Sequence, residues 1–326
     1  MRCESRMGLA FIFCLWSLSG TGDAADENAS TGAALFKQTV KFQYRLGMEV
    51  TARNGPCANL VCTFPIPIQW PEQKTTIIAR DVSANVRRTL TRTLGDGVQQ
   101  FEFQAPRLAT GQTARAILTL EVERSFVPAP DHPEELTFPR GPTTKLRRFL
   151  SGSPFIETTH VKVKAAARDI QLDADATPWK QVETIYDWTR DRVKPSGVKP
   201  LKGALQALVT GTGDCEEITS LFVAMCRLKG IPARSVWVLG HAYPEFYLED
   251  KSGKGLWIPC ESLGPRSFGT MRSHRLIMQK GDNFRMTQKR GPQRYVTPTV
   301  SGTLVRGGGQ PVLKEIREKL PSRETP

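Results

Sequence analysis

Thr210-Gly-Thr-Gly-Asp-Cys-Glu-Glu217 runs straight into Ile218-Thr-Ser-Leu-Phe-Val-Ala-Met-Cys-Arg-Leu-Lys-Gly-Ile-Pro232, and the join between the two decides the fold. Glycines followed by Asp-Cys mark a loop that delivers a cysteine to the start of a helix. Ile218, Leu221, Phe222, Met225 and Leu228 recur at helical spacing, and Gly230-Ile231-Pro232 supplies the stop, a glycine at the C-terminal cap with a proline just beyond. Cys215 therefore sits in the first turn. There, unsatisfied backbone N–H groups and the positive end of the helix dipole stabilise a thiolate over a thiol. The same N–H groups can hold the oxyanion that forms when a thiolate attacks an amide carbonyl. Asp214, Glu216 and Glu217 would oppose the thiolate if they pointed inward; otherwise they cap the helix or bind a positively charged substrate group.

Downstream, Ser235-Val-Trp-Val-Leu239 reads as a strand and His241-Ala-Tyr-Pro-Glu-Phe-Tyr-Leu248 as a second. Alternation puts Ala242, Phe246 and Leu248 on one face and His241, Tyr243, Glu245 and Tyr247 on the other. Pro244 inside this run predicts an edge or a local irregularity. His241 opens the strand, where a neutral imidazole can take a thiol proton near neutral pH. The turn Asp250-Lys-Ser-Gly-Lys-Gly255 returns the chain through Leu256-Trp-Ile-Pro-Cys-Glu261, so Glu261 ends a neighbouring strand and can orient the imidazole. Upstream, Thr177 as N-cap and Pro178 at the first position start a helix whose Trp179, Val182, Ile185, Tyr186, Thr189 and Val193 share one side.

Gly213-Asp214-Cys215, Leu221 to Arg227, Gly230-Ile231-Pro232-Ala233-Arg234 and His241 to Tyr247, in this order, resemble the transglutaminase-like superfamily over roughly Pro178 to Leu263. The resemblance implies an α+β, papain-like core, its cysteine on a helix packed against an antiparallel sheet that carries the histidine and the acid. It also implies chemistry on amides or thioesters. The catalytic candidates are Cys215, His241 and Glu261. The family usually has Asp at the position of Glu261, which is one methylene longer.

The remainder sorts by pattern. Arg2 and Arg6 precede an apolar run from Gly8 to Leu18 that ends in small residues, which predicts a signal peptide over 1–25 and an exported, periplasmic or secreted protein. Val40 to Leu46, Ile77 to Ala79, Gln100 to Phe103 and Ala116 to Val122 alternate with period two, predicting an N-terminal β-sandwich over 33–128. A Pro-rich linker follows at 129–143, then a catalytic domain with a C-terminal extension over 144–300. Residues 301–326 read as a tail holding a short helix, Val312 to Leu320.

With 39% hydrophobic, 8% aromatic and 24% charged residues over 326 positions, the composition is that of a globular protein. The net charge of +13 survives removal of the signal, because the first 24 residues carry two basic and two acidic side chains. That field favours solubility or contact with an anionic cell surface. Without a dense basic block, aromatic RNA-binding signature or zinc-finger spacing, no nucleic-acid partner is expected. Cys57 and Cys62 flank a short loop that a disulfide could close, or remain two thiols. No cofactor and no metal site is expected. The expected function is that of an extracytoplasmic cysteine peptidase, amidase or acyltransferase on a protein or peptide substrate. The competing class is an inactive binding or surface-assembly module.

Overall fold

The computed structural model describes residues 39–197 and 202–321; the expected signal peptide lies outside the described residues. The alternating N-terminal stretches form six strands: β1 (Thr39–Thr51), β2 (Cys57–Ile66), β3 (Gln73–Val82), β4 (Arg88–Thr93), β5 (Gln99–Leu108) and β6 (Thr113–Ser125). They belong to two four-stranded antiparallel sheets. Leu46, Met48 and Val50 from β1 and Leu118, Leu120 and Val122 from β6 meet Phe64 from β2 and Phe101 and Phe103 from β5 in one apolar cluster. Period-two burial thus supplies one inner face per sheet, as alternation requires.

Both sheets are completed from the far end of the chain. Thr299–Leu304 pairs with β2, and Val312–Lys319 pairs with β1 from Tyr44↔Lys319 to Thr51↔Val312. The expected tail at 301–326, with its helix over Val312 to Leu320, is corrected accordingly: Thr299–Leu304 and Val312–Lys319 are strands joined by a turn, and the N-terminal unit closes with C-terminal residues. Val-Leu-Lys-Glu-Ile-Arg-Glu-Lys has strong helix formers, but propensity yields to an available sheet edge. Cross-strand charges fit that edge: Arg45 bonds Glu318 at 3.2 Å and Lys314 bonds Glu49 at 3.3 Å. Such charged edge strands also resist further pairing.

Cys57 and Cys62 are correspondingly not the ends of a loop. They lie five residues apart on extended β2, both buried and both free. Asn59 between them takes a left-handed φ of 52°, which breaks the regular strand, and no disulfide joins the two thiols. The linker is not slack either: Val127 pairs with Met271 and Thr137 with Glu249, docking the segment along the second unit.

Among the described residues that unit holds a one-turn helix, Thr144–Arg147, four longer helices, Val161–Asp169, Pro178–Arg192, Ala204–Thr210 and Cys215–Leu228, and a five-stranded antiparallel sheet. The sheet order is Ser267–Phe268, Gly255–Glu261, His241–Glu249, Ala233–Val238, Ile277–Lys280. Thr177 caps the second helix by accepting from the Lys180 N–H at 3.3 Å, with Pro178 in its first turn, as the sequence predicts. The Cys215 helix is central and buried from Glu217 to Arg227. Its Phe222 and Met225 pack with Phe246, Leu248 and Ile258 on one sheet face. The other face presents Val236, Val238, Tyr243 and Ile277, together with Met271 and Trp70. Leu276 and Met278 enter the N-terminal cluster, so the sheet lies between the helices and the two-sheet unit.

The His241 strand is central in this sheet, which corrects the edge expected from Pro244. Its ladder to Gly255–Glu261 begins only at Glu245, so Pro244 lies just past the end of one ladder and pairs Ser235 on the other side. A residue without an N–H is tolerated where one neighbour has ended.

Arg227 closes the helix onto the rest of the unit. Its side chain bonds Asp282 at 2.6 and 3.2 Å, the Ala233 carbonyl at 2.8 and 3.0 Å and the Ser151 carbonyl at 2.6 Å. Both charges are buried. Asp282→Ala leaves an unpaired guanidinium in the core and is expected to cost about 3–5 kcal/mol. Denaturant unfolding measures this; a loss below about 1 kcal/mol would place the pair among weak surface contacts.

Candidate active site

The loop into Cys215 is built by local constraints. Gly211, at the end of the Ala204–Thr210 helix, has φ 65°, a left-handed turn that favours glycine. Lys194 and Ser196 N–H groups donate to the carbonyls of Gly211 and Gly213, both at 2.8 Å, pinning the loop to the preceding segment. At Gly213 a Cβ would lie 2.6 Å from the Glu217 Cβ, so the close packing of that side chain needs glycine there. Glu217 in turn accepts from the Asp214 N–H at 3.0 Å, while Asp214 accepts from the Glu216 N–H at 2.8 Å. This is a reciprocal capping box.

The acidic neighbours are thereby accounted for. Asp214 caps, Glu217 completes the box and accepts from the Lys202 N–H at 2.6 Å, and Glu216 pairs with buried Arg294 at 3.1 Å. Burial pushes the Glu216 and Glu217 carboxyls up; at Glu216, the Arg294 guanidinium opposes that shift. The Cys215 N–H, at the first helical position, has no carbonyl one turn earlier to bond within the helix.

His241 and Glu261 come together from adjacent strands. The imidazole Nε2 and Glu261 Oε1 are 2.7 Å apart, both groups mostly buried, which leaves Nδ1 for the Cys215 thiol. Burial by itself lowers the imidazole pKa. Hydrogen bonds to Cys215 and Glu261, reinforced by their charge, outweigh it and raise the value to about 9. Glu261 and Cys215 thus both favour the charged imidazole, the partner that a thiolate needs. The extra methylene of Glu261 is absorbed: Oε1 reaches the ring and also accepts from the Leu263 N–H at 3.3 Å.

Four supports come from residues that linear motifs do not single out. Tyr186 donates to the Glu261 carbonyl at 2.7 Å, and its hydroxyl accepts from the Ser267 N–H at 3.1 Å. Arg190 bonds the carbonyls of Glu261 and Ser262, each at 3.2 Å, and of Gly264 at 2.6 Å. Buried Ser262 and Thr219 bond one another at 3.1 Å, and both contact the Ala242 carbonyl. The helical pattern finds Tyr186 as a core residue, but not the use of its hydroxyl.

The five described cysteines differ in exposure. Cys57, Cys62, Cys226 and Cys260 are buried, and burial raises each thiol, that of Cys62 to about 12. Cys215 alone among them is partly exposed. Among the described residues, one group has metal-ligand spacing: exposed His132, Glu134 and Glu135, with Glu135 already bonded to Lys251 at 2.8 Å.

Residues 164–262 match the transglutaminase-like superfamily, a span that contains Cys215, His241 and Glu261. A solved structure of a candidate cysteine protease from Cytophaga hutchinsonii superposes with a TM-score of 0.54 at 14% identity, over 89% of this chain and 95% of that one. At that identity the likeness is one of fold. A candidate protease from Parabacteroides distasonis gives a TM-score of 0.26 at 13% identity, over 68% of this chain and 43% of the other, too loose a superposition to bear on it. No curated protein matches the chain in sequence.

Proposed function

We propose, from a transglutaminase-like core at residues 164–262, that the protein is an extracytoplasmic thiol enzyme that opens amide bonds of proteins or peptides through an acyl-enzyme on Cys215. The observation that carries this reading is the His241 imidazole held between Cys215 and Glu261. The Cys215 thiolate attacks the carbonyl carbon, its electron pair forming the C–S bond while the carbonyl oxygen becomes an oxyanion near the helix N-terminus. His241 then gives its proton to the leaving amine as the C–N bond breaks. Water, deprotonated by His241, attacks the thioester and releases the acid.

The same thioester can pass to an amine, and acceptor access decides between peptidase and acyltransferase. The acidic residues around Cys215 are engaged in the cap and with Arg294, which favours an enzyme over an inactive module. The β-sandwich reading of the two-sheet unit fits a shield over the sheet face opposite the helix. Export is consistent with the N-terminal signal pattern and with four buried, poorly reactive thiols.

The proposal is tested by incubating the mature protein with a mixed peptide library, with and without a primary amine, and following products by mass spectrometry. Chain cleavage or amine incorporation that disappears in Cys215→Ala supports it. Equal products from wild type and Cys215→Ala would contradict it.

A further inference from the structure

On the sheet face away from Cys215, the two-sheet unit, the docked linker and the sheet enclose a cleft of about 1050 Å³. None of Cys215, His241 or Glu261 lines it. Its floor is charged. Lys280 bonds both Glu72 and Glu245, and Arg234 bonds Glu245 at 2.7 Å, all four residues being more than nine-tenths buried. Behind Glu72 lies fully buried Arg124, which bonds the Glu72 carbonyl at 3.2 Å and leaves its Nε and Nη2 without partners. Lys280 and Arg124 hold the Glu72 carboxyl below its usual range against the pull of burial, and buried Tyr243 beside them stays a neutral phenol.

This network holds three cations, Arg124, Arg234 and Lys280, against two carboxylates, Glu72 and Glu245. One positive charge is left over in a place where an unbalanced charge is costly. The donors are also unspent. Arg234 uses Nε and Nη2 on Glu245, while Trp70 Nε1 and Arg148 Nε, both in cleft-lining residues, are buried without an acceptor. The Arg234 guanidinium stacks 3.9 Å from the Trp257 ring centre, and Trp70 and Phe149 complete an aromatic wall around it. Around it the cleft carries both signs, Asp96, Asp131, Glu135, Glu249 and Asp250 against Lys145, Arg148, Lys251 and Lys254, nearer solvent where such charges are screened.

We propose that this cleft is a second binding site, one that takes a peptide carboxylate carried on an apolar or aromatic segment. The carboxylate would meet the Arg234 guanidinium and offset the surplus charge of the buried network, while the segment lies against Trp257 and Phe149. The volume suits a segment of a few residues. The site works whether or not Cys215 is catalytic.

Calorimetric titration of the full-length mature protein with N-acetyl-Phe-Glu-amide, its Gln counterpart and inorganic phosphate tests this. The Glu peptide is expected to bind saturably, at least about tenfold more tightly than the Gln peptide, as one charge-assisted contact predicts. Cys215→Ala should bind it equally well, which separates this site from the thiol chemistry. Arg234→Gln should abolish the preference for Glu over Gln. Tight phosphate binding with no peptide preference, equal binding of the two peptides, or no binding of the Glu peptide at millimolar concentration would each overturn the proposal.

Discussion

Replacing His241 with alanine is expected to slow alkylation of Cys215 by iodoacetamide about 100-fold at pH 6.5. The reacting species is the thiolate. With His241 in place, the imidazole keeps its proton up to about pH 9 and stands ready as the cationic partner a thiolate needs. Without it, an ordinary cysteine is only about one per cent thiolate at pH 6.5. The helix N-terminus softens the loss somewhat. The sign follows from the raised value: the imidazole is charged below about pH 9 and loses its proton as pH rises through it. The gap between wild type and His241→Ala should therefore close toward pH 9 to 10. Buried Cys57, Cys62, Cys226 and Cys260 should contribute little label to the native protein, and peptide mapping separates them from Cys215. Equal rates for the two proteins at pH 6.5 would remove His241 from the chemistry.

Replacing Glu261 with glutamine is the second large effect, expected to reduce acylation by an activated ester about 10²- to 10⁴-fold. The carboxylate does two things at Nε2. It accepts the ring proton, which leaves Nδ1 for sulfur, and its charge helps raise the imidazole to about 9. Glutamine can instead present an N–H to Nε2, which forces the proton onto Nδ1 and aims it at the sulfur, the wrong tautomer for a base. It also removes the charge, so the upper limb of the pH–rate profile should move from about 9 toward the ordinary 6.5. Glu261→Asp keeps the charge and should stay within about tenfold of wild type, because the anchors at Tyr186 and Arg190 grip the backbone rather than the carboxylate. A pH profile for Glu261→Gln that overlies wild type would return Glu261 to a surface role.

Much of the site is legible from sequence because its logic is local. Gly213-Asp214-Cys215-Glu216-Glu217 encodes its own cap, and the turn Asp250 to Gly255 forces the two strands that bring His241 and Glu261 together. Side chains that act from a distance leave no such signal. Arg294 meets Glu216 across a long stretch of chain, and the value of Arg190 lies in three carbonyls that acquire positions only after folding. The acidic cluster looked ambiguous for the same reason, since its partners are a backbone N–H from Lys202 and a guanidinium from the C-terminal region.

The N-terminal unit shows where period alone misleads. Val40 to Leu46 and Ala116 to Val122 alternate cleanly and are strands. Cys57 to Ile66 does not alternate cleanly and follows Gly55-Pro56, so it reads as a loop although it is an inner strand with buried Cys57, Cys62 and Phe64. Val312 to Lys319 carries helix formers and yet is a strand, because the open edge of β1 and the charges on Arg45 and Glu49 supply what propensity does not. These decisions are made between segments, and a reading within one segment does not contain them.

The central claim is that Cys215 carries the acyl group. It is tested by mixing the mature protein with p-nitrophenyl acetate at pH 7, following the nitrophenol burst and mapping the acetylated peptide. The account predicts a burst of one equivalent, faster than acetylation of the same concentration of free cysteine. The label should lie on Cys215, and the burst should be absent in Cys215→Ala and strongly slowed in His241→Ala. A burst that persists in Cys215→Ala, or a Cys215 no faster than free cysteine, would contradict it.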